Sequence, residues 1–216
     1  MEELTNEEII LAGLHDDGLD GKRGRLSSRG KGIRLDIGAS NFRKHFLERV
    51  HQLPKPVQKA LIQHRAQISD APFYSTADIK GSRAELVKTS VSEKIGITNI
   101  DNGKMGKDRH LTLSAIRLIY DATAINGKFI DVFPADLLNA EWELELNGKK
   151  VFEKMPIRKF FDGFFGYNTN KPFGLYLLNN PKNVEPQTPI EFNVDLPDAV
   201  PGFLKVFFEG TTVYGN

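Results

Sequence analysis

The stretch EWELELNGKKVFEKM, residues 141–155, carries the strongest structural signal in the chain. Its first half alternates strictly between apolar and acidic side chains, which is the period of a strand with one buried face: Trp142, Leu144 and Leu146 against Glu141, Glu143 and Glu145. Asn147-Gly148 follows, and this dipeptide favours a two-residue type I′ turn because both positions tolerate positive φ. After the turn, Val151 and Met155 continue the buried face. The stretch predicts a β-hairpin with one buried and one solvated face.

A single hairpin is only marginally stable in water, so further strands must cover Trp142. Eight segments have strand character and are separated by turn-forming Asn, Gly and Pro residues: 85–92, 111–120, 128–133, 142–146, 149–155, 174–178, 190–196 and 203–214. This arrangement predicts a mainly β fold, an eight-stranded, jelly-roll-like antiparallel β-sandwich. Its predicted core contains Trp142, Leu144, Phe192, Val194 and one face of 203–208.

Residues 1–72 lack the strand pattern and are predicted to form an N-terminal arm with short helices. The predicted sandwich domain follows and spans residues 73–216. Apolar residues recur at helical spacing in 42–50 and again in 57–68, and Pro54 and Pro56 favour a helix start between them. Both predicted helices are short and amphipathic, so each needs a surface to lie on. No stretch of the sequence has the length and apolarity of a membrane span.

Charge is distributed unevenly within this arm, although the whole chain has a net charge of only +1. Residues 1–20 contain seven acidic side chains and no Lys or Arg, whereas residues 21–34 contain six cations and no acid. These cations are Lys22, Arg23, Arg25, Arg29, Lys31 and Arg34. A segment of this composition is predicted to remain mobile. Two roles stay open for it: a solvating tail, or a contact with the phosphates of packaged nucleic acid.

Catalytic and metal-binding signatures are missing from the sequence. The absence of Cys excludes a disulfide framework, thiol catalysis and thiolate metal sites. The five His are dispersed, and no phosphate-binding glycine loop or nucleophile elbow occurs. The glutamates of 141–145 could serve a sandwich hydrolase, but their alternation favours a solvated face complemented by Lys149 and Lys150. We therefore predict no catalytic residue, no metal site and no cofactor.

The segment FFDGFFGY, residues 160–167, concentrates aromatic side chains in a pattern that fits neither a strand nor a helix. The rings belong to Phe160, Phe161, Phe164, Phe165 and Tyr167. One interpretation places some of them in the core, where they close the open end of the sandwich. A second makes them an apolar interface that a partner covers. A carbohydrate-stacking loop is a third interpretation.

Four phrases in the second half of the chain resemble the capsid-type β-sandwich proteins of bacteriophages: LTLSAIRLIYD, LLNAEWELELNGKKVF, GLYLLNNPKNVEPQTPIEFNVDL and FLKVFFEGTTVYG. The resemblance covers residues 111–214 and lies in the texture of the strands. It implies a structural subunit of a capsid or virion, made in the host cytoplasm and assembled with other copies of itself and with other virion proteins. The arm and the aromatic-rich loop would supply the contacts. A carbohydrate-binding or adhesive β-sandwich module is the alternative function, and a sandwich hydrolase is a further one.

Overall fold

Nine β-strands and two α-helices lie within the residues that the computed structural model describes, which are 39–161 and 173–214. The helices are α1 (Ala39–Arg49) and α2 (Lys55–Ile62), joined by a short 3-10 helix at Val50–Gln52. The strands are β1 (Gln67–Ser69), β2 (Phe73–Asp78), β3 (Arg83–Glu85), β4 (Arg109–Asp121), β5 (Glu141–Leu146), β6 (Lys149–Pro156), β7 (Leu175–Val184), β8 (Ile190–Asp195) and β9 (Phe203–Tyr214). Two further 3-10 helices occupy Ala135–Asn139 and Ile157–Phe160.

The predicted hairpin is the pair β5–β6. Asn147 and Gly148 have φ angles of 53° and 68°, the two positive values that a type I′ turn requires. Leu146 pairs with Lys149 directly across this turn. The register shifts further along β6, where Lys154 has a φ of 48°. A separate shift, between the pairs Glu145–Lys150 and Leu144–Phe152, brings Phe152 opposite Leu144, where it packs against the core.

Four antiparallel pairs are nested around the tip of this hairpin: β5 with β6, β4 with β7, β3 with β8, and β2 with β9. Successive pairs alternate between two sheets. The first sheet has the order β1–β9–β4–β7, with β2 also paired to β9, and the second has the order β3–β8–β5–β6. Nested pairing that alternates between two sheets is the arrangement of a jelly roll. The predicted fold class is confirmed.

The core lies between the two sheets and contains the residues that the alternation predicted. Trp142, Leu144, Phe192 and Val194 have exposed fractions of 1% or less, and the inward face of β9 contributes Leu204, Val206 and Phe208. The Trp142 ring stacks on Phe192 with centroids 5.4 Å apart. It also contacts Tyr176 of the other sheet at 5.6 Å, so aromatic packing joins the two layers.

The helices lie on the outer side of the first sheet, where α1 contacts β9 and β4. A second apolar cluster fixes them there: Phe46, Val50, Leu53, Val57 and Leu61 pack with Val213 of β9. We call residues 39–66 the helical layer. Pro54 is the N-terminal cap of α2, as predicted. The second helix is shorter than predicted, because it ends at Ile62 and His64 adopts a positive φ of 53°.

Two predicted strands are wrong. In the segment 85–92 only Glu85 is in a strand, β3, and the segment 128–133 is a loop. In that loop Phe129 adopts a φ of 53°, and its amide donates a hydrogen bond to the Asp121 carboxylate instead of to a neighbouring strand. Conversely, β2 was not predicted as a strand. Four of its six residues are buried, and Ser75, Thr76 and Ala77 are buried in succession, so buried side chains occupy both faces and the alternation is lost.

Candidate assembly surfaces

Lys205 lies near the start of β9 and joins two loops that are distant in sequence. Its Nζ donates a hydrogen bond of 2.8 Å to the carbonyl oxygen of Gly96. The same ammonium group lies 4.6 Å from the ring centroid of Tyr74 and 5.1 Å from that of Phe129. Burial lowers the pKa of Lys205, while the aromatic rings stabilise its charge by cation–π attraction.

Large aliphatic side chains project from these two loops into solvent. Ile95 precedes Gly96 and is 98% exposed, and Ile130 follows Phe129 and is 78% exposed. Val132, two residues further on, is 87% exposed. We call Ile95, Ile130 and Val132 the loop surface. Because the backbone beside Ile95 and Ile130 is held through Lys205, these side chains extend from defined positions.

Asp121 organises the loop that carries Ile130. One carboxylate oxygen accepts hydrogen bonds of 2.9 Å from the amides of Thr123 and Ala124, and the other accepts one of 3.0 Å from the amide of Phe129. These backbone donors hold the pKa of Asp121 well below its usual range. A Cβ added at Gly127 would overlap the same carboxylate, so the loop requires glycine there.

The outer face of the second sheet carries a network of charges that crosses all four strands. Glu143 of β5 is at its centre and forms ion pairs with Arg83 of β3 and with Lys150 of β6, the latter at 3.5 Å. Arg83 also contacts Asp195 of β8 at 3.1 Å. Glu143 is only 8% exposed, so it does not belong to a simple solvated face. Burial alone would raise its pKa, but the hydrogen bond and charge of Arg83, with the charge of Lys150, lower it.

Acidic residues predominate on this outer face. The strand registers place six carboxylates and two cations, Arg83 and Lys150, on it. The carboxylates, which we call the acidic face, are Glu85, Glu141, Glu143, Glu145, Glu191 and Asp195. Two pairs stand directly opposite each other, Glu141 with Asp195 and Glu145 with Glu191. Like charges in that relationship destabilise a sheet unless a cation neutralises them.

The helical layer on the opposite side of the sandwich has the reverse charge. Residues 42–66 contain six cations and one acidic side chain, Glu48. Four of these cations are exposed and form what we call the basic face: Lys44, Lys55, Lys59 and Arg65. Lys59 and Arg65 line an open cleft of about 560 Å³ beside α2, together with Gln63. The two outer sides of the jelly roll therefore carry opposite charge.

The residues predicted as functional sites are placed as follows. The six cations of 22–34 lie outside the described residues, as do Phe164, Phe165 and Tyr167. Phe160 and Phe161 are 1% and 5% exposed and pack in the sandwich core. For these two rings the structure agrees with the core interpretation. The Phe160 ring contacts Trp142 at 5.2 Å, and the Phe161 ring contacts Phe133 at 4.7 Å.

Within 39–161 and 173–214, no group of three His, Asp or Glu side chains is arranged to hold a metal ion. No helix in the same part of the chain combines the length and apolarity needed to cross a bilayer. Comparison with protein-family models and with curated proteins finds no match for this chain.

Proposed function

We propose that this chain is a structural subunit that assembles with other copies of itself into a viral capsid or a related virion structure. The observation that carries the proposal is the loop surface, where Ile95, Ile130 and Val132 are 78–98% exposed. Large aliphatic side chains gain free energy when a partner removes them from water, by about 1.5–3 kcal/mol each. A subunit interface is the simplest structure that buries them.

The jelly roll supports a structural function, but proteins of other functional classes have the same fold. The same arrangement of strands occurs in viral capsid proteins, in lectins and in cupins. The choice between these functions therefore depends on the residues exposed at the surface. A carbohydrate-binding module stacks sugars on exposed aromatic rings. In the described part of the chain, three of the four exposed large hydrophobic side chains are aliphatic, and Phe173, at 38%, is the fourth. This composition favours a protein interface over a sugar-binding platform.

In the proposed virion, neighbouring copies cover the loop surface. The six cations of 22–34 would contact packaged nucleic acid through its phosphates, which requires no sequence recognition. The jelly roll, held by its own core, would act as a rigid body that presents both its loops and its arm to partners.

Sedimentation velocity of the Ile130→Asp variant tests the proposal. We expect the wild-type chain to self-associate as its concentration is raised, and Ile130→Asp to weaken each contact about tenfold or more, since tenfold corresponds to about 1.4 kcal/mol. Ile130→Leu is the matched control and should associate like the wild type. Thermal unfolding of both variants should be unchanged, because the side chain is exposed. Equal association of Ile130→Asp and the wild type would contradict the proposal.

A further inference from the structure

The two outer sides of the sandwich differ in charge, and among the described residues no ion pair joins one side to the other. The acidic face lies on the second sheet, and the basic face lies on the helical layer that covers the first sheet. Each face has side chains of its own sign in excess: six carboxylates against two cations on one, and six cations against one acid in residues 42–66. Within the described residues neither face covers the other, because they lie on opposite sides of the sandwich.

From this polarity we propose that copies of this chain associate head to tail, with the basic face of one copy seated on the acidic face of the next. The inference rests on the proposed function, since it assumes that the copies assemble, and it specifies a contact besides the loop surface. Such an interface is heterologous: it joins different surfaces of identical subunits. It therefore leads to rings or shells where the rotation between copies closes, and to filaments where it does not.

Four carboxylates of the acidic face have no ion-pair partner among the described residues of their own subunit. Arg83 and Lys150 both contact Glu143, and Arg83 also reaches Asp195. Among the described residues, no ion pair reaches Glu85, Glu141, Glu145 or Glu191. Glu145 and Glu191 stand opposite each other, so their repulsion is relieved when a cation approaches from outside the sheet.

The basic face has the matching deficit of acids. Among the described residues, Lys44 has one ion-pair partner, Glu48, at 3.9 Å, and both side chains are more than half exposed. Lys55, Lys59 and Arg65 are exposed, and within the described residues no ion pair reaches them. Exposed ion pairs contribute little one at a time, so the contact depends on several pairs formed together and is sensitive to salt.

Reciprocal charge reversal tests the contact. One variant carries Glu85→Lys, Glu141→Lys and Glu191→Lys, and the other carries Lys55→Glu, Lys59→Glu and Arg65→Glu; all six side chains are exposed. We expect each variant alone to self-associate about tenfold or more weakly than the wild type, because its two faces then repel. An equal mixture of the two variants should regain association, because each variant presents the complement of the other. The control triple, Lys104→Glu, Lys107→Glu and Arg158→Glu, changes charge elsewhere and should stay within about twofold of the wild type.

Sedimentation velocity at about 0.1 M and about 1 M NaCl provides the measurement, since these concentrations span weak and strong screening. The inference is overturned, and the proposed function left intact, if the wild type associates and both reversed variants associate equally well. A loss of self-association in the basic-face variant alone would also overturn the inference. An RNA duplex that binds the wild type but not this variant would then assign the basic face to phosphate contact. A wild-type chain that stays monomeric throughout would overturn the proposed function as well.

Discussion

Lys205 donates a hydrogen bond of 2.8 Å from Nζ to the main-chain carbonyl oxygen of Gly96, across 109 positions of sequence. The amide of Gly96 is held as well, by a hydrogen bond of 3.3 Å to the hydroxyl oxygen of Tyr74. The Phe129 ring approaches the same ammonium group from the second loop. One side chain near the start of β9 therefore fixes both loops that carry the loop surface.

Replacing Lys205 by Met should release these loops while keeping the apolar stem. A buried hydrogen bond to a charged group contributes about 1.5–3 kcal/mol to the free energy of unfolding. Because Lys205 is partly exposed, we expect the substitution to lower this free energy by about 1–2 kcal/mol. Hydrogen exchange should accelerate at the amides of Gly96 and Phe129 and remain unchanged in the core strands. Lys149→Met, at an exposed position, is the control. Unaltered loop protection in Lys205→Met would show that the ammonium group does not hold the loops.

Substitution of Gly127 by Ala should displace the loop that carries Ile130. The added methyl group overlaps the Asp121 carboxylate, which already accepts hydrogen bonds from that loop. We expect a loss of about 1–3 kcal/mol in the free energy of unfolding, the usual range for a forced overlap. The Phe129 amide should lose its exchange protection, and self-association should weaken. Asp121→Asn offers an independent route to the same result, since its amide nitrogen cannot accept the Phe129 bond. A protected Phe129 amide in both variants would contradict this role of Asp121.

Deletion of the Trp142 ring should be among the most damaging single changes to the fold. The side chain is 1% exposed and contacts four other rings. Trp142→Ala is expected to cost about 3–5 kcal/mol in denaturant unfolding. Trp142→Phe should cost clearly less, because it keeps an aromatic ring and removes a buried indole N–H that has no hydrogen-bond partner among the described residues. A cost below about 1 kcal/mol for Trp142→Ala, which is the scale of surface changes, would contradict the inward register of β5.

The hairpin could be predicted closely from the sequence, and the loops could not. Strict alternation and Asn147-Gly148 are local signals. Neighbouring residues alone therefore predict the position of β5, its turn and the face of β5 that is buried. In β2 both faces are largely buried and no alternation remains, so the pattern that marks a half-exposed strand is absent. The segment 128–133 has strand-like composition. However, the Phe129 amide, which would donate to a neighbouring strand in a sheet, donates to the Asp121 carboxylate instead.

The candidate surfaces depend on contacts between residues far apart in sequence. Lys205 looks like an ordinary outward lysine of an alternating strand, and nothing near it in sequence indicates that Gly96 and Phe129 will meet it. Glu143 was predicted to be solvated with its neighbours, yet Arg83 from β3 buries it. The excess of cations in 42–66 was visible in the sequence, whereas the strand registers were needed to collect the opposing carboxylates on one face.

Removal of Arg83 should make the free energy of unfolding less dependent on pH in the acidic range. The pKa of Glu143 is lowered in the folded chain, so its contribution is present above the ordinary value of about 4.3 and is lost as the pH falls through the folded value. Arg83→Met should therefore cost about 1–2 kcal/mol near pH 7, between the ranges for exposed and buried pairs. The difference from the wild type should shrink below about pH 4. Urea unfolding across this pH range measures it, with Glu143→Gln completing a double-mutant cycle and Arg158→Met as the control. A difference that stays constant with pH would contradict this coupling.

The mass of the particle formed by the purified chain tests the structural role most directly. Light scattering, with electron microscopy of the same sample, should be followed as concentration is raised and salt is lowered. If the chain is a self-assembling virion subunit, discrete species of many copies appear, and closed shells or rings are visible on the grid. A chain that remains monomeric at high micromolar concentration in every condition, with no particle on any grid, would contradict it.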